Sequence, residues 1–421
     1  MSGPGWVDLK DVTRRPQGAA RPRYWRSLDE LAQSPAFLEF LHREFPEQAS
    51  EWNDPKGRRE FLKIMGASFA LAGLTSCTRP PEEKIVPYVK APEDVVPGKP
   101  LFFATALSLG GYTKGVLVES HLGRPTKIEG NPDHPGSLGA TDAIGQAEIL
   151  SLYDPDRSQT LTFKGEVRPW SNFIVDMKRS LQAQAPLKGA GVRILTTSVS
   201  SPSLTQQIQD LLAELPQAKW HTFEPVNNDN AQAGALLAFG ESVETHFRFE
   251  AADVIVSLDA DFLSRGPAAL KSVRDFASRR KIDGNGERLS RLYAVESTPS
   301  LVGASADHRL PLRASDIEDF TRALGVALGL SVPEPPRYPE GTTEGRWVAA
   351  LAKDLLAHPK ASLIVAGDEQ PPAVHALAHS LNHRLGNFGT TVFLTTPVLS
   401  RPGGQLESLK ELIADMSGGR V

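Results

Sequence analysis

Short apolar runs alternate with helical stretches from Trp170 to the end of the chain, and this alternation constrains the fold more than any other feature. The runs are three to six residues long and rich in β-branched side chains. Runs of this kind are typical of parallel strands covered on both faces. The sequence therefore predicts an α/β fold with one or two Rossmann-like lobes over residues 161–421. The candidate strands are 192–196, 220–223, 253–258, 292–295, 363–367 and 392–394, and the candidate helices lie near 172–184, 203–214, 228–238, 267–280, 315–329, 345–357 and 371–385.

Residues 101–160 have a different pattern, which predicts a β-rich segment. Apolar runs at 101–106 and 115–120 are joined through a turn near Gly110-Gly111, and a short strand and a turn-rich loop follow at 123–135. Residues 78–100 contain six prolines and many charges, so they predict an extended linker rather than a helix.

An export signal is indicated at 58–77. Arg58 and Arg59 stand directly before Phe61, Leu62 and Lys63, and a mostly apolar run follows that is shorter than a membrane-spanning helix requires. Two arginines before such a run are typical of a twin-arginine signal. The alternative is a buried amphipathic helix that begins at a basic turn.

The apolar run ends in Leu74-Thr75-Ser76-Cys77, which has the form of a lipoprotein processing site. Cleavage there would leave Cys77 as a lipid-bearing N-terminus and would hold the protein on the outer face of a membrane. Two alternatives stay open. Cleavage could follow the small-residue segment Ala70-Leu71-Ala72, which resembles an ordinary processing site. If the segment is instead a buried helix, Cys77 would be an inert thiol.

Residues 1–57 precede this signal and predict a small helical hairpin. Ser27 and Glu30 have the spacing of a capping box, and a second helix start follows at Ser34-Pro35. The apolar side chains of the second helix, which share one helical face, are Phe37, Leu38, Leu41 and Phe45.

Charge and cysteine content exclude several classes of protein. The chain of 421 residues has a net charge of −4 and no long run of one sign, so no nucleic-acid partner is indicated. Its one cysteine excludes an internal disulfide and also an iron–sulfur cluster held by four cysteines of this chain.

Ligands of parallel sheets bind at the carboxyl ends of the strands. The candidate strands end at 197–201, at Asp259 and Asp261, at 296–298 and at 367–369. None of these places has a dinucleotide-binding glycine pattern or a phosphate loop. The two aspartates suit either a metal or, more commonly, the cap of the following helix.

Three histidines at 375, 379 and 383 recur at the spacing of one helical face, which suits either zinc or a polar, interfacial face. The triplet Asp307-His308-Arg309 cannot converge in a strand, because neighbouring side chains point to opposite faces. The serines between 197 and 203 lack a nucleophile elbow. The sequence therefore assigns no catalytic, metal-binding or cofactor-binding residue.

Several sequence segments together resemble segments of the molybdopterin oxidoreductases. They are 123–135, the Gln-Ala helix at 146–150, 152–157, 296–298 and 306–313, and they occur in the order that the family has. The N-terminal phrases 24–31, 34–37, 44–46 and 58–63 are similar to a narrower group, the large iron–sulfur subunits of alternative complex III, a quinol-oxidising membrane complex.

This resemblance implies the placement of cofactors. In members that carry a cluster, cysteines lie in the first hairpin and just before the Gln-Ala helix. Here those places are residues 104–107 and 137–144, and neither contains a cysteine. In the narrower group the molybdopterin-like part has lost both pterin and cluster, and a ferredoxin-like part carries the iron–sulfur clusters. By this comparison the chain ends inside the molybdopterin-like part, and the clusters belong to a missing C-terminal part.

The resemblance therefore implies a non-catalytic, cofactor-free scaffold that is exported by the twin-arginine route. Its implied partners are a membrane quinol-binding subunit, cytochrome c subunits and the ferredoxin-like part, and its implied location is the periplasm or outer face of the cytoplasmic membrane. Two alternatives remain: an active molybdenum bis-pterin oxidoreductase without the nearby cluster, and a soluble cytoplasmic enzyme.

Overall fold

The computed structural model describes residue 35 and residues 95–281, 289–333, 338–339 and 341–421. The chain divides into two compact units, Met1–Ala91 and Pro92–Val421. The predicted helical hairpin, the export signal with Cys77 and most of the linker lie outside the described residues. Among the helices that are described, none combines the length and apolar character needed to cross a membrane.

The second unit begins with the predicted β-rich segment. Strands β1 (Leu101–Leu109), β2 (Tyr112–His121) and β3 (Arg124–Gly130) pair antiparallel in that order. Gly110 and Gly111 join β1 to β2, and both have positive φ angles of 59° and 81°. A two-residue hairpin turn of this type requires such angles, which glycine adopts without strain. Helix α1 (Ala143–Ser151) follows. The predicted turn is confirmed.

A parallel sheet lies at the centre of the second unit. In the described part of the chain it has four strands, β9 Val254–Leu258, β10 Arg291–Glu296, β11 His308–Pro311 and β12 Ser362–Ala366. Their order across the sheet is β11, β10, β9, β12. Every residue of β9 is buried, as expected for a strand with another layer on each face.

Two hydrophobic clusters cover the two faces of this sheet. Val254 and Val256 of β9 belong to one cluster and Ile255 belongs to the other, because successive side chains of a strand point to opposite faces. The helices that cover the sheet are α5 Ala269–Ser278, α6 Leu301–Ser305, α7 Ile317–Ala327, α8 Thr343–Ala357 and α9 Pro372–Arg384. Helices α7, α8 and α9 complete the first cluster, and α5 and α6 complete the second. The predicted α/β fold is confirmed.

The remaining strands form small sheets of their own. β6 (Arg193–Thr196) and β7 (Lys219–Thr222) are a parallel pair, whereas β8 (Glu244–Phe247) and β13 (Val392–Thr395) are antiparallel. A short hairpin of β4 (Thr162–Phe163) and β5 (Glu166–Val167) precedes them. The other helices are α2 Trp170–Gln184, α3 Pro202–Glu214, α4 Asp229–Phe239 and α10 Gln405–Ser417.

The candidate strands are distributed over several sheets. All six candidate strands exist, but only those at 254, 291 and 362 join the central sheet, where β11 completes the row. The last candidate strand, β13, pairs antiparallel with β8, for which the sequence analysis predicted no strand. Periodicity identifies a strand from its own residues, whereas its partner depends on residues far away in the chain.

Candidate functional site

The carboxyl edge of the central sheet has a topological switch point between β9 and β12. The chain runs from β9 to β10 and β11 on one side, and β12 then pairs with the opposite side of β9. A crevice forms at such a point because the connections leave in opposite directions, and ligands of α/β proteins bind there. The predicted strand-end residues 259–261, 296–298 and 367–369 all lie along this edge.

Asp259 connects three strand ends. It follows β9 with a φ angle of 57°, and its carboxylate accepts hydrogen bonds from the Ser297 backbone N–H at 3.0 Å and the Gln370 side chain at 3.1 Å. The backbones also approach closely, since a Cβ added to Gly367 would lie 2.1 Å from the Asp259 carbonyl oxygen. Asp259 therefore has a structural role in joining β9, β10 and β12.

Asp261 caps a helix, although a different one from that predicted. Its carboxylate accepts the Val302 backbone N–H of α6 at 3.3 Å, and the Ser264 hydroxyl also donates to it. Helix α6 follows β10, whereas the sequence predicts a cap on the helix that follows β9, which is α5. No group of three or more His, Cys, Asp or Glu residues within the described ranges has the geometry to hold a metal ion.

The triplet at 307–309 does not converge, as the alternation of a strand predicts. Asp307 forms an ion pair with Arg280 at 2.6 Å, and His308 stacks on Tyr293 with ring centroids 4.7 Å apart. Arg309 pairs instead with Glu296, which is almost fully buried at the end of β10. Each side chain thus stabilises a different contact between elements.

The crevice has an acidic character. The pKa of Tyr112, at the start of β2, is raised mainly by burial and further by the negative charge of the neighbouring Glu244. The phenol therefore stays protonated. Burial and the charge of Glu369 raise the pKa of Asp368, while Arg265 acts in the opposite direction. The four acidic residues that follow β9 and β12 at this edge are Asp259, Asp261, Asp368 and Glu369. Phosphate groups are disfavoured beside such charges.

The three predicted histidines occupy two different environments. His375 and His379 are buried at 6% and 9% exposure on α9, whereas His383 in the last turn is exposed. Helix α9 packs closely on α4, since a Cβ added to Gly234 would lie 2.3 Å from the His375 Cβ. The His379 ring centroid lies 4.9 Å from that of Phe239 on α4. The histidines thus do not share one ligand-binding face.

Burial dominates the titration of both inner histidines. It lowers the pKa of His375 to about 4, although hydrogen bonds with the backbone of Gly367 and Gln370 favour the charged form. Burial also lowers the pKa of His379 to about 4, and the charge of His375 contributes to the same direction. Both rings are therefore neutral at pH 7.

A second place of interest lies where the hairpin meets the loop before α1. These are the two segments to which the family resemblance assigns cluster cysteines. They enclose a cavity of about 10 Å³, lined by Leu107, Lys114, Val116, Ala140, Thr141, Asp142, Gly145 and Leu270. A neighbouring cavity of about 60 Å³ shares Leu107, Lys114, Asp142 and Gly145 with it. The first volume holds at most one water molecule.

An ion pair crosses this second place. The ammonium group of Lys114 on β2 contacts the carboxylate of Asp142, which also caps α1 by accepting the Gly145 N–H at 2.7 Å. Burial favours a higher pKa for Asp142, but these two partners outweigh it and hold the pKa below its usual value. The chemistry of this lining does not fit a cluster, because none of the residues that line the two cavities is a thiol.

The residues that complete both places do not stand out in the sequence. Gln370 is 1% exposed and bonds to Asp259, and Tyr112 reaches the crevice from the N-terminal hairpin. Lys114 pairs with Asp142 across 28 positions of the chain. A Pro-Pro pair after Gln370 marks a helix start, but nothing in the sequence signals the long-range contacts of Tyr112 and Lys114.

Comparisons with known proteins give only distant similarity. No protein-family model and no curated protein matches the chain. Among solved structures, acetylene hydratase from Pelobacter acetylenicus is similar at 13% identity and a TM-score of 0.47, over 68% of this chain and 43% of that one. A chain of the formyltransferase/hydrolase complex from Methylorubrum extorquens has 20% identity and a TM-score of 0.33, over 51% and 56%.

The chain thus spans about half the length of these structures. Both TM-scores are below 0.5, so the assignment to the α/β class rests on the chain's own parallel sheet and covering helices.

The close approach at Gly367 gives a first prediction. Gly367→Ala is expected to lower the free energy of unfolding by about 2 kcal/mol, because the new methyl group would displace the Asp259 backbone in a packed interior. Gly325→Ala in α7 is the matched control, since its Cβ would meet neighbours only at 3.7 Å or more. Chemical denaturation of both variants measures the difference, and equal stabilities would contradict this account of the crevice.

Proposed function

We propose that this chain is a molybdopterin oxidoreductase-like scaffold subunit of a quinol-oxidising membrane complex and carries no electron carrier of its own. The α/β fold agrees with this proposal, and the ordered family phrases between 123 and 313 support the family relationship. A domain that descends from such enzymes and has lost its redox groups can still bind the other subunits of the complex, and this binding is its proposed role.

The proposal rests mainly on the side chains found at the position where members of the family hold an iron–sulfur cluster. Leu107, Ala140 and Thr141 line a cavity of about 10 Å³ there, together with the Lys114–Asp142 ion pair. A cluster needs thiolate ligands. Leu107 and the ion pair thus supply packing and charge pairing where redox-active relatives supply ligands.

The crevice at the carboxyl edge also supports a role without pterin. A molybdopterin carries phosphate groups, and a site for them would offer cations or free backbone N–H groups. The crevice offers Asp259, Asp261, Asp368 and Glu369. The neighbouring cations Arg265 and Arg309 are paired with Glu369 and Glu296, respectively. The residues present therefore do not fit a bis-pterin cofactor at this edge.

Isolation of the intact complex tests the proposed role. The tagged chain, extracted from its native membrane in mild detergent, is expected to purify together with a quinol-binding membrane subunit and cytochrome c. Removal of the chain from the cell is expected to abolish assembly of these subunits and their quinol oxidation. An isolated chain that oxidises or reduces a substrate without partners would contradict the proposal.

The location is part of the same proposal. Export depends on Arg58 and Arg59, and the anchor is a lipid on Cys77. Mass spectrometry of the mature protein is expected to find Cys77 at the N-terminus, in a peptide whose mass exceeds that of the unmodified peptide by the mass of the attached lipid. Arg58→Lys with Arg59→Lys is expected to leave the precursor in the cytoplasm, and Cys77→Ala is expected to leave it unlipidated. A mature protein that begins directly after Ala72 and carries no lipid would contradict the lipid anchor, but it would not contradict export.

A further inference from the structure

Exposed apolar side chains are concentrated in residues 161–189, which contain β4, β5 and α2. Helix α2 has 15 residues and none of them is buried. Its Trp170 is 64% exposed, and Phe163 and Val167 of the preceding hairpin are 54% and 69% exposed. A group of large exposed apolar side chains of this kind indicates a surface for interaction. We call residues 161–189 the hairpin–helix surface.

Four apolar side chains of α2 form a stripe along one side of the helix. Trp170, Phe173, Met177 and Leu181 recur at helical spacing, and the Trp170 and Phe173 ring centroids are 5.0 Å apart. At the C-terminal end of this stripe Leu181 is half-buried, and the Gln184 side chain accepts a hydrogen bond from the Gly191 N–H at 3.0 Å. At the N-terminal end the aromatic residues remain uncovered.

The charge of this surface is opposite to that of the whole chain. Residues 161–189 include five basic and two acidic residues, net +3, whereas the chain has a net charge of −4. The acidic residues Glu166 and Asp176 pair with neighbouring arginines. The remaining cations, all exposed and without an ion-pair partner in the part of the chain that the structure describes, are Lys164, Lys178 and Lys188.

We propose that the hairpin–helix surface lies on a lipid bilayer with anionic headgroups. Tryptophan and phenylalanine enter the boundary between headgroups and acyl chains, where the ring is apolar and the indole N–H remains hydrated. Flanking lysines bind anionic headgroups electrostatically. Trp170 and Phe173 supply the first interaction, and Lys164, Lys178 and Lys188 supply the second.

A second copy of the chain is a poorer occupant of this surface. In a two-fold symmetric contact the same patch faces itself. The lysines of one copy would then approach those of the other with no acidic residues between them, because Glu166 and Asp176 are already paired. An anionic bilayer satisfies both the apolar and the basic components.

Binding of the full chain to lipid vesicles tests the inference. Co-sedimentation is measured with phosphatidylcholine vesicles, with and without 30% phosphatidylglycerol, at low and high salt. Wild-type protein is expected to bind the anionic vesicles more tightly and to lose this preference at high salt. Lys164→Glu, Lys178→Glu and Lys188→Glu together are expected to weaken binding to anionic vesicles about tenfold or more.

Two further variants separate apolar insertion from charge. Trp170→Ser with Phe173→Ser is expected to weaken binding to both kinds of vesicle. Leu406→Ser with Ile413→Ser on α10 is the matched control, since these side chains are 50% and 52% exposed elsewhere. Residues 1–94 are the same in every variant, so differences report on the hairpin–helix surface.

Either of two results would overturn the inference. One is unchanged vesicle binding in both variants of the surface. The other is a lipid-free dimer that Trp170→Ser with Phe173→Ser dissociates, which would make a second copy the occupant. The inference does not depend on the proposed scaffold role, because a chain that bound molybdenum would retain the same surface.

Discussion

Lowering the pH from 7 to 4 is expected to reduce the free energy of unfolding by about 3 kcal/mol for each of His375 and His379, taken singly. Burial lowers both pKa values to about 4 from 6.5. The unfolded chain therefore binds more protons than the folded chain between pH 6.5 and 4. The stabilisation is complete above pH 6.5 and is lost as the pH falls toward 4.

Chemical denaturation at pH 7, 5.5 and 4 measures this loss. His375→Gln and His379→Gln are each expected to reduce the dependence of stability on pH. His383→Gln is the matched control on the same helix, because His383 is exposed. The two effects are expected to fall short of additivity, since the charge of His375 contributes to the low pKa of His379. Identical pH dependence in all four proteins would contradict the buried, neutral state of these rings.

Replacing Arg193 is expected to be the other strongly destabilising change. Its side chain is 6% exposed and pairs at 2.7 Å with Asp415, which is 5% exposed on α10. Lys219 of β7, Arg193 and Arg420 all donate to this carboxylate and hold its pKa far below the usual range. The pair thus connects β6 and β7 with the last helix.

Arg193→Met is expected to lower the free energy of unfolding by about 3 kcal/mol, because it leaves a buried carboxylate with weaker compensation. Arg179→Met on α2 is the matched control, since the Arg179–Asp176 pair is 75% and 58% exposed. Such surface pairs contribute little. Thermal denaturation of the two variants at pH 7 compares them, and a small, equal effect would mean that α10 is held by its apolar contacts alone.

The sequence predicts the central elements well because their signal is local. The strands at 254–258, 291–296 and 362–366 each contain a run of at least three consecutive apolar residues, and α8 and α9 have regular helical periodicity. The positions of these elements agree within a few residues with the prediction. Burial on both faces produces such continuous apolar runs, so the pattern is visible without knowledge of the partners.

Elements with a weaker local pattern were missed. β8 has the sequence Glu-Thr-His-Phe and β11 has His-Arg-Leu-Pro, and neither is an apolar run. Their strand conformation depends on pairing with β13 and β10. Helix α10 is also absent from the predicted helices, but it does have a local signal. Leu409, Leu412 and Met416 have helical spacing and follow Gly403-Gly404, which marks a turn before a helix.

The candidate site was predictable only in part. The strand ends at Asp259 and Gly367 follow from the strands themselves and from the rule that ligands bind at carboxyl edges. The contribution of Tyr112 to the crevice depends on the tertiary contact of the N-terminal hairpin with the rest of the unit. The Lys114–Asp142 pair likewise joins residues of different elements. Such contacts leave no periodic trace in the sequence.

The metal content of the chain tests the central claim most directly. The chain is purified from its native membrane, separated from its partners under mild conditions, and analysed for molybdenum and iron per polypeptide by inductively coupled plasma mass spectrometry. A cofactor-free scaffold predicts that both metals remain at background level in the isolated chain while iron is retained by the rest of the complex. Stoichiometric molybdenum in the isolated chain would contradict the scaffold and identify an active pterin enzyme.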